Sequence, residues 1–370
     1  MSEASAAAEA VESKRRWTPW RFAQVAISLV IVVGIFVGVI PRIADYGEVW
    51  STITAMTPIE GASLVGAMFL NLMTYWWQMM AAMPGLRFWQ AAVNNQTGTS
   101  IANTLPGGGV LAVGVTTTMY RSWGFTFASI ALVTVVTGVW NIFFKLGLPI
   151  VALALLAVTG QANTGLVVGA VIGLLVLAVA VVLFALMLRS QEFARRIGDG
   201  LARVVSAMLR PFRGGPVQGW GRAALTFRAD TIELVSTRWI VITLTTILSQ
   251  LSLFVVLLLA LRHVGVSEQE VSTLRILAVY AFGRLVTALP ITPGGLGVVE
   301  LSYIGGLTVG TDVDRAAVTA AVLVFRALTY GIQIPLGAAT YLIWRANTSW
   351  RKVPPDETEA ERKLRAAVTA

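Results

Sequence analysis

The chain has 370 residues, of which 56% are hydrophobic and only 13% charged, with a mean hydropathy of +0.74. That balance excludes an ordinary soluble domain and points to a polytopic membrane protein. The net charge of +9 fits basic cytoplasmic segments better than nucleic-acid binding, and the lack of cysteine excludes disulfides, thiolate metal centres and cysteine catalysis.

Residues 1–21 are small, polar and basic, and read as a disordered cytoplasmic tail. Phe22 to Ile40 is too long for a signal-peptide core and lacks a clear small-x-small cleavage site, so it is expected to be a retained signal anchor. Further apolar segments lie at about 60–83, 125–158, 164–188, 239–261 and 316–345. Each is long enough for a bilayer core that needs ~20 residues. Pro149 and Pro335 are natural kink points in the longest two.

Two other apolar stretches, 90–122 and 274–310, are broken midway by a shared pattern. The first reads Asn103-Thr104-Leu105-Pro106-Gly107-Gly108-Gly109, the second Leu289-Pro290-Ile291-Thr292-Pro293-Gly294-Gly295-Leu296-Gly297. Broken backbone at membrane depth survives only where protein or a polar cavity covers it. The flanking pieces are about half a membrane long, so each stretch is expected to be a re-entrant helical hairpin.

Charge sets the orientation. Lys14, Arg15, Arg16 and Arg21 place the N-terminus inside, Arg42, Asp45, Glu48 and Glu60 lie outside, and Arg87 and Arg121 are inside again. The 189–238 connection carries nine arginines against four acids and should be cytoplasmic. His263 falls in a short outer connection and reads as a solvated loop residue. Arg345, Arg351 and Lys352 return the C-terminus to the inside. The first hairpin then enters from the cytoplasm and the second from outside, the inverted-repeat arrangement of many carriers.

The expected fold is an all-α polytopic membrane protein of about six full spans plus two re-entrant hairpins. Its parts are a first half at about 22–188, the basic loop 189–238, a second half at about 239–345 and a cytoplasmic tail 346–370. Within the loop, Phe193, Ile197, Leu201, Val204 and Met208 share one helical face. That face suits either a helix on the anionic inner leaflet or a connector packed on the protein. From Pro354 onward the tail carries no packing signal.

After each glycine run the chain can restart a helix, near Val110 to Arg121 and Leu296 to Leu307. Two half-helix N-termini near the midplane would offer free amides and positive dipole ends to an anion such as phosphate. Asn103, Thr104 and Thr292 could add contacts. The competing explanation is that the glycines only let helices approach closely.

Ionisable residues at membrane depth are costly and are functional candidates by default. Arg284, Glu300, Arg326 and Lys145 qualify, Lys145 less so because its stem could snorkel. Glu300 with Arg284 or Arg326 could be a structural pair. Alternatively, Glu300 takes up a proton and an arginine holds a lipid phosphate. Asn71, Asn94, Asn95, Gln96, Asn141 and Gln250 are expected to hydrogen-bond between helices, and Trp76, Trp77 and Trp89 to anchor at the interface. No Gly-Lys-Ser/Thr follows the glycine runs, and there is no metal-ligand cluster or nucleophile–His–acid set. Neither a cofactor, a metal nor a catalytic residue is expected.

At these residues the chain resembles the flippase-like transmembrane region of bacterial lysylphosphatidylglycerol synthases. The likeness rests on Asn103-x-Leu-Pro-Gly-Gly, Arg121-x-x-Gly124, Leu-Pro-Ile-Thr-Pro-Gly-Gly-Leu-Gly-Val-Val-Glu300 and Phe325-Arg326-Ala-Leu-Thr-Tyr330, and covers roughly 22–345. The synthases carry a large soluble transfer domain after this region. Here the chain ends at Ala370, so synthase activity is not expected. Members often carry an arginine early in the span after the first hairpin, where this chain reads Val135-Val136-Thr137-Gly138-Val139.

The resemblance implies translocation of a phospholipid or polyprenyl-phosphate-linked lipid between leaflets. The expected site comprises Asn103, Pro106, Gly107, Gly108, Gly109, Arg121, Arg284, Thr292, Pro293, Gly294, Gly295, Gly297, Glu300 and Arg326. The expected setting is the bacterial cytoplasmic membrane with both termini inside, and the expected partners are anionic membrane lipids, with no nucleic acid. The alternatives are a secondary transporter of a small anionic solute, or a non-transporting partner of an envelope lipid enzyme or glycosyltransferase.

Overall fold

The computed structural model describes residues 45–104, 108–158, 164–193, 195–196, 199–200, 220–287, 292 and 295–356. The expected first span at 22–40, most of the amphipathic face in the basic loop, and Pro106, Gly107, Pro293 and Gly294 lie outside them. Among the described residues the fold is all-helical, without strands.

Helix α1 (Tyr46–Thr54) is capped by the Asp45 carboxylate, and α2 (Pro58–Ala82) starts in a capping box between Thr57 and Glu60 with proline in its first turn. The two are bent by 94° and together are apolar enough for one span. Helices α3 (Phe88–Thr104) and α4 (Gly108–Ser122) fold back on each other, because Asn94 reaches the Thr116 carbonyl at 3.1 Å and Gly108 lies against Ile101. Next come α5 (Phe127–Val158) and α6 (Thr164–Arg189).

Helix α7 (Trp220–His263) begins well before the expected boundary at 239. From Arg222 to His263 no glycine or proline interrupts it, so the helix carries Arg222, Arg228 and Arg238 beyond the apolar run. Helices α8 (Thr273–Val286) and α9 (Val298–Thr308) form a second antiparallel pair. The long last segment is α10 (Arg315–Arg326), a π turn at Ala327–Gly331, and α11 (Gln333–Ala346). The π turn precedes Pro335, which has no N–H to continue the α-helical ladder. Among the described residues, four helical segments are each long and apolar enough to cross a membrane, five with the bent α1–α2 pair.

Two hydrophobic cores share the long helices. One gathers Met68 to Ala82 of α2, Val133 and Val136 of α5, Leu234 and Ile242 of α7, and the α3–α4 pair. The other gathers Leu64, then Leu148 to Leu156 of α5, Leu253 to Leu261 of α7, and the α8–α9 pair. The two hairpins therefore pack against opposite ends of α2, α5 and α7. They also cross over: α3 packs on α11, and α8 packs on α5. Outside these cores, α6 exposes Val171, Leu175, Val179 and Leu183, as a helix facing lipid would.

The seams are stitched by polar side chains. Asn71 donates to the Ser249 carbonyl at 2.8 Å and to Ser252 Oγ at 2.9 Å, and Gln250 donates to Asn141 at 3.0 Å. These are the expected interhelical bonds. Gln96 is different: it is buried with neither amide atom hydrogen-bonded.

Three readings need correction. His263 is not a solvated loop residue; it ends α7 and bonds Ser63 Oγ at 2.7 Å, tying α7 to α2. Trp76 is 4% exposed and stacks edge-on with Phe69 and Phe88, so it belongs to the core; Trp77 and Trp89 are exposed. The chain around Pro354 is packed, not free. Lys352 N–H donates to the Ser122 carbonyl at 2.8 Å, Trp350 meets Trp123, and Asp356 pairs with Arg121.

Candidate functional site

Midway between the two cores lies a polar cavity of ≈ 230 Å³. Tyr75 and Asn71 come from the middle of α2, Asn95 and Thr99 from α3, and Arg284 and Thr287 from the end of α8. Tyr303 of α9, Arg326 and Thr329 from the end of α10 and its π turn, and Gln333 of α11 close it. Both hairpins reach it.

The sequence builds the second side by a turn that only glycine permits. Gly295 (φ 72°) and Gly297 (φ 81°) adopt left-handed conformations, Gly297 as the N-cap of α9. Thr292 is buried and donates its hydroxyl to the Leu296 carbonyl at 2.8 Å, so it holds the turn together. Glycine again lets α8 and α9 touch: a Cβ at Gly283 would stand 2.0 Å from the Tyr303 ring. This contact brings Arg284 and Glu300 into one neighbourhood.

Glu300 is 0% exposed and accepts from Arg326 Nε at 2.7 Å through Oε1, while its Oε2 has no hydrogen-bond partner. The Arg326 guanidinium also lies over the Tyr330 ring at 4.7 Å, and the Tyr330 hydroxyl donates to the Asn103 carbonyl at 2.5 Å. The tip of the first hairpin is thus tied to the Glu300–Arg326 pair. Arg284 lies among Tyr75, Tyr280 and Tyr303, and its buried Nε has no hydrogen-bond partner. Lys145 of α5 stands within electrostatic range of it.

Among the described residues, then, the Arg284 and Arg326 guanidiniums at this cavity, with Lys145 in electrostatic range of Arg284, are set against the one carboxylate of Glu300. Burying charge without compensation is costly, several kcal/mol per ion even after relaxation. An anion entering the cavity would relieve that imbalance.

Of the sequence-derived site, the structure gathers Arg284, Glu300, Arg326 and the turn of Thr292, Gly295 and Gly297. Asn103 joins through its carbonyl. Gly108 serves packing: a Cβ there would be 2.3 Å from the Ile101 carbonyl, whereas Gly109 has open space around it. Arg121 stands elsewhere, 7% exposed, pairing with Asp356, donating to the Phe125 carbonyl at 3.1 Å and lying over the Phe127 ring. The tyrosines around Arg284 and the π turn were not anticipated. Tyr75 sits at an ordinary helix position beside two tryptophans, and no periodicity marks it as lining a cavity.

The family described as the lysylphosphatidylglycerol synthase TM region matches residues 23–337. No curated protein matches the chain.

Proposed function

Because the chain belongs to the lysylphosphatidylglycerol synthase transmembrane-region family, we propose that this membrane protein translocates an anionic lipid headgroup between leaflets through the cavity between its hairpins. The observation that carries this reading is Arg284, a half-buried guanidinium whose shielded Nε has no hydrogen-bond partner, in a site whose nearby charge is net positive. At ≈ 230 Å³ the cavity suits a phosphate-bearing headgroup, with the acyl chains left in the bilayer. Arg284 would take the phosphate. Arg326 would exchange Glu300 for it, and Glu300, freed of its partner, would take up a proton.

In this reading the two antiparallel pairs are re-entrant hairpins of an inverted repeat. Their packing at opposite ends of α2, α5 and α7, and the exchange of α3 onto α11 and α8 onto α5, support it. The setting would be a bacterial cytoplasmic membrane with both termini inside, by the distribution of arginine and lysine. The reading involves no chemical step, and any envelope enzyme would work beside the protein.

Vesicles of the purified protein should move a labelled phosphatidylglycerol between leaflets faster than protein-free vesicles, and Glu300→Gln should abolish the movement. Unchanged exchange in that variant would remove the proposed site. Uptake of a water-soluble anion without lipid exchange would assign the cavity to a solute instead.

A further inference from the structure

A second cleft, of ≈ 340 Å³, lies away from the central cavity, where the turn before α3, the turn after α4 and the segment after α11 meet. Arg87, Gln90, Trp123, Trp350 and Lys352 are among its walls. Neither the family nor the proposed transport step gives it a task.

The geometry points to a binding site for the phosphate of an anionic lipid headgroup, held at the membrane surface between Arg87 and Lys352. Three observations carry this. First, the two cations come from chain segments far apart in sequence, and among the described residues neither side chain has an acidic partner; both are exposed. Second, Trp123 is 4% exposed, yet its shielded indole N–H has no hydrogen-bond partner. A buried indole N–H normally finds one. Third, α3 begins at Phe88 beside the cleft, and its N-terminal dipole adds positive potential there.

The surroundings select a lipid as the source. Trp89 is exposed next to Arg87, and Leu342 and Ile343 are exposed just before the segment that forms the wall. Aromatic residues and an apolar surface ending at a basic rim mark a bilayer boundary. Acyl chains could lie along that surface while the phosphate sits in the cleft.

One wall is a strap. Lys352 N–H bonds to the Ser122 carbonyl, and Asp356 is pinned by the Arg121 guanidinium and the Phe127 N–H. Gly124 (φ 90°) lets Lys352 lie close, since a Cβ there would stand 3.1 Å from Lys352 Cβ. The strap thus carries Lys352 to the site opposite Arg87. Asp356→Asn therefore discriminates: it removes a negative charge, which alone would strengthen anion binding, but it also unpins the wall.

The test is native mass spectrometry of the full chain in detergent, titrated with phosphatidylglycerol or phosphatidylcholine. We expect Arg87→Gln/Lys352→Gln to bind phosphatidylglycerol about tenfold more weakly at one site, as loss of charged contacts predicts. Phosphatidylcholine binding should change little, and Asp356→Asn should weaken phosphatidylglycerol binding despite its altered charge. Arg284→Met should leave this site intact, which separates it from the central cavity. Unchanged binding in the double variant, or tighter binding in Asp356→Asn, would overturn the site. Inorganic phosphate displacing the lipid at equal concentration would overturn the lipid assignment.

Discussion

The two helical hairpins share a motif but differ in what they bury. The α8–α9 pair brings Arg284 and Tyr303 to the central cavity, and Tyr280 and Glu300 beside them, with left-handed glycines at its turn. The α3–α4 pair brings Asn95 and Thr99, and is locked by close packing to its own arm and to α11. The same Pro/Gly break can therefore serve chemistry in one half and fit in the other. Its meaning depends on whether charged residues follow the break, as Glu300 does, or uncharged ones, as after Gly109.

Breaking the Glu300–Arg326 pair should have the largest effect. Arg326→Ala leaves a fully buried carboxylate uncompensated and should cost about 3–5 kcal/mol in thermal unfolding. The double variant Glu300→Gln/Arg326→Gln should recover much of that. On the other hairpin, Asn95→Ala should cost about 1 kcal/mol, the scale of an ordinary neutral contact. Equal losses would erase the distinction between the two sides.

The next effect separates packing from binding within the first motif. Gly108→Ala forces a methyl into the Ile101 carbonyl and should destabilise by about 1–3 kcal/mol. Gly109→Ala meets nothing and should be neutral or stabilising by up to about 1 kcal/mol, as helix propensity predicts. A large loss of lipid movement in Gly109→Ala, with stability intact, would restore the first motif as a binding element.

Much of this was legible beforehand. Hydropathy alone located α5, α6 and the apolar part of α7, because an apolar run needs no partner to be recognised. Glu300 and Arg326 stood out because carboxylates and guanidiniums are rare in such runs. What stayed hidden depends on contacts between distant segments. Nothing local says that Tyr75 will meet Arg284, that Trp76 faces inward while Trp77 faces out, or that Asp356 will return to Arg121. The early start of α7 was missed for another reason: its first turns are polar and basic, so hydropathy ends at the membrane boundary while the helix does not.

The smallest effect concerns the turn between α7 and α8, which positions the second hairpin. Hydrogen bonds from the Thr273 N–H and hydroxyl, with Arg262 beside it, hold the Glu268 carboxyl below the usual carboxylate range. Its folded value is lower than its unfolded one. Its contribution is therefore full above the unfolded carboxylate range and is lost as pH falls through the folded value. Because the group is largely exposed, Glu268→Gln should cost only about 0–1 kcal/mol near neutrality. That difference should shrink as pH falls through the folded value, below which both forms are neutral. A difference persisting in acid would mean that the turn is held by something other than this carboxylate.

The central claim is that the second hairpin supplies the anion-binding group of a lipid path. Leaflet exchange of labelled phosphatidylglycerol in reconstituted vesicles tests it most directly, with Arg284→Met compared against Asn95→Ala. The account predicts exchange by the unaltered protein, a loss of about tenfold or more in Arg284→Met and a minor change in Asn95→Ala, as expected for a charged against a neutral contact. Exchange at the unaltered rate in Arg284→Met would contradict it.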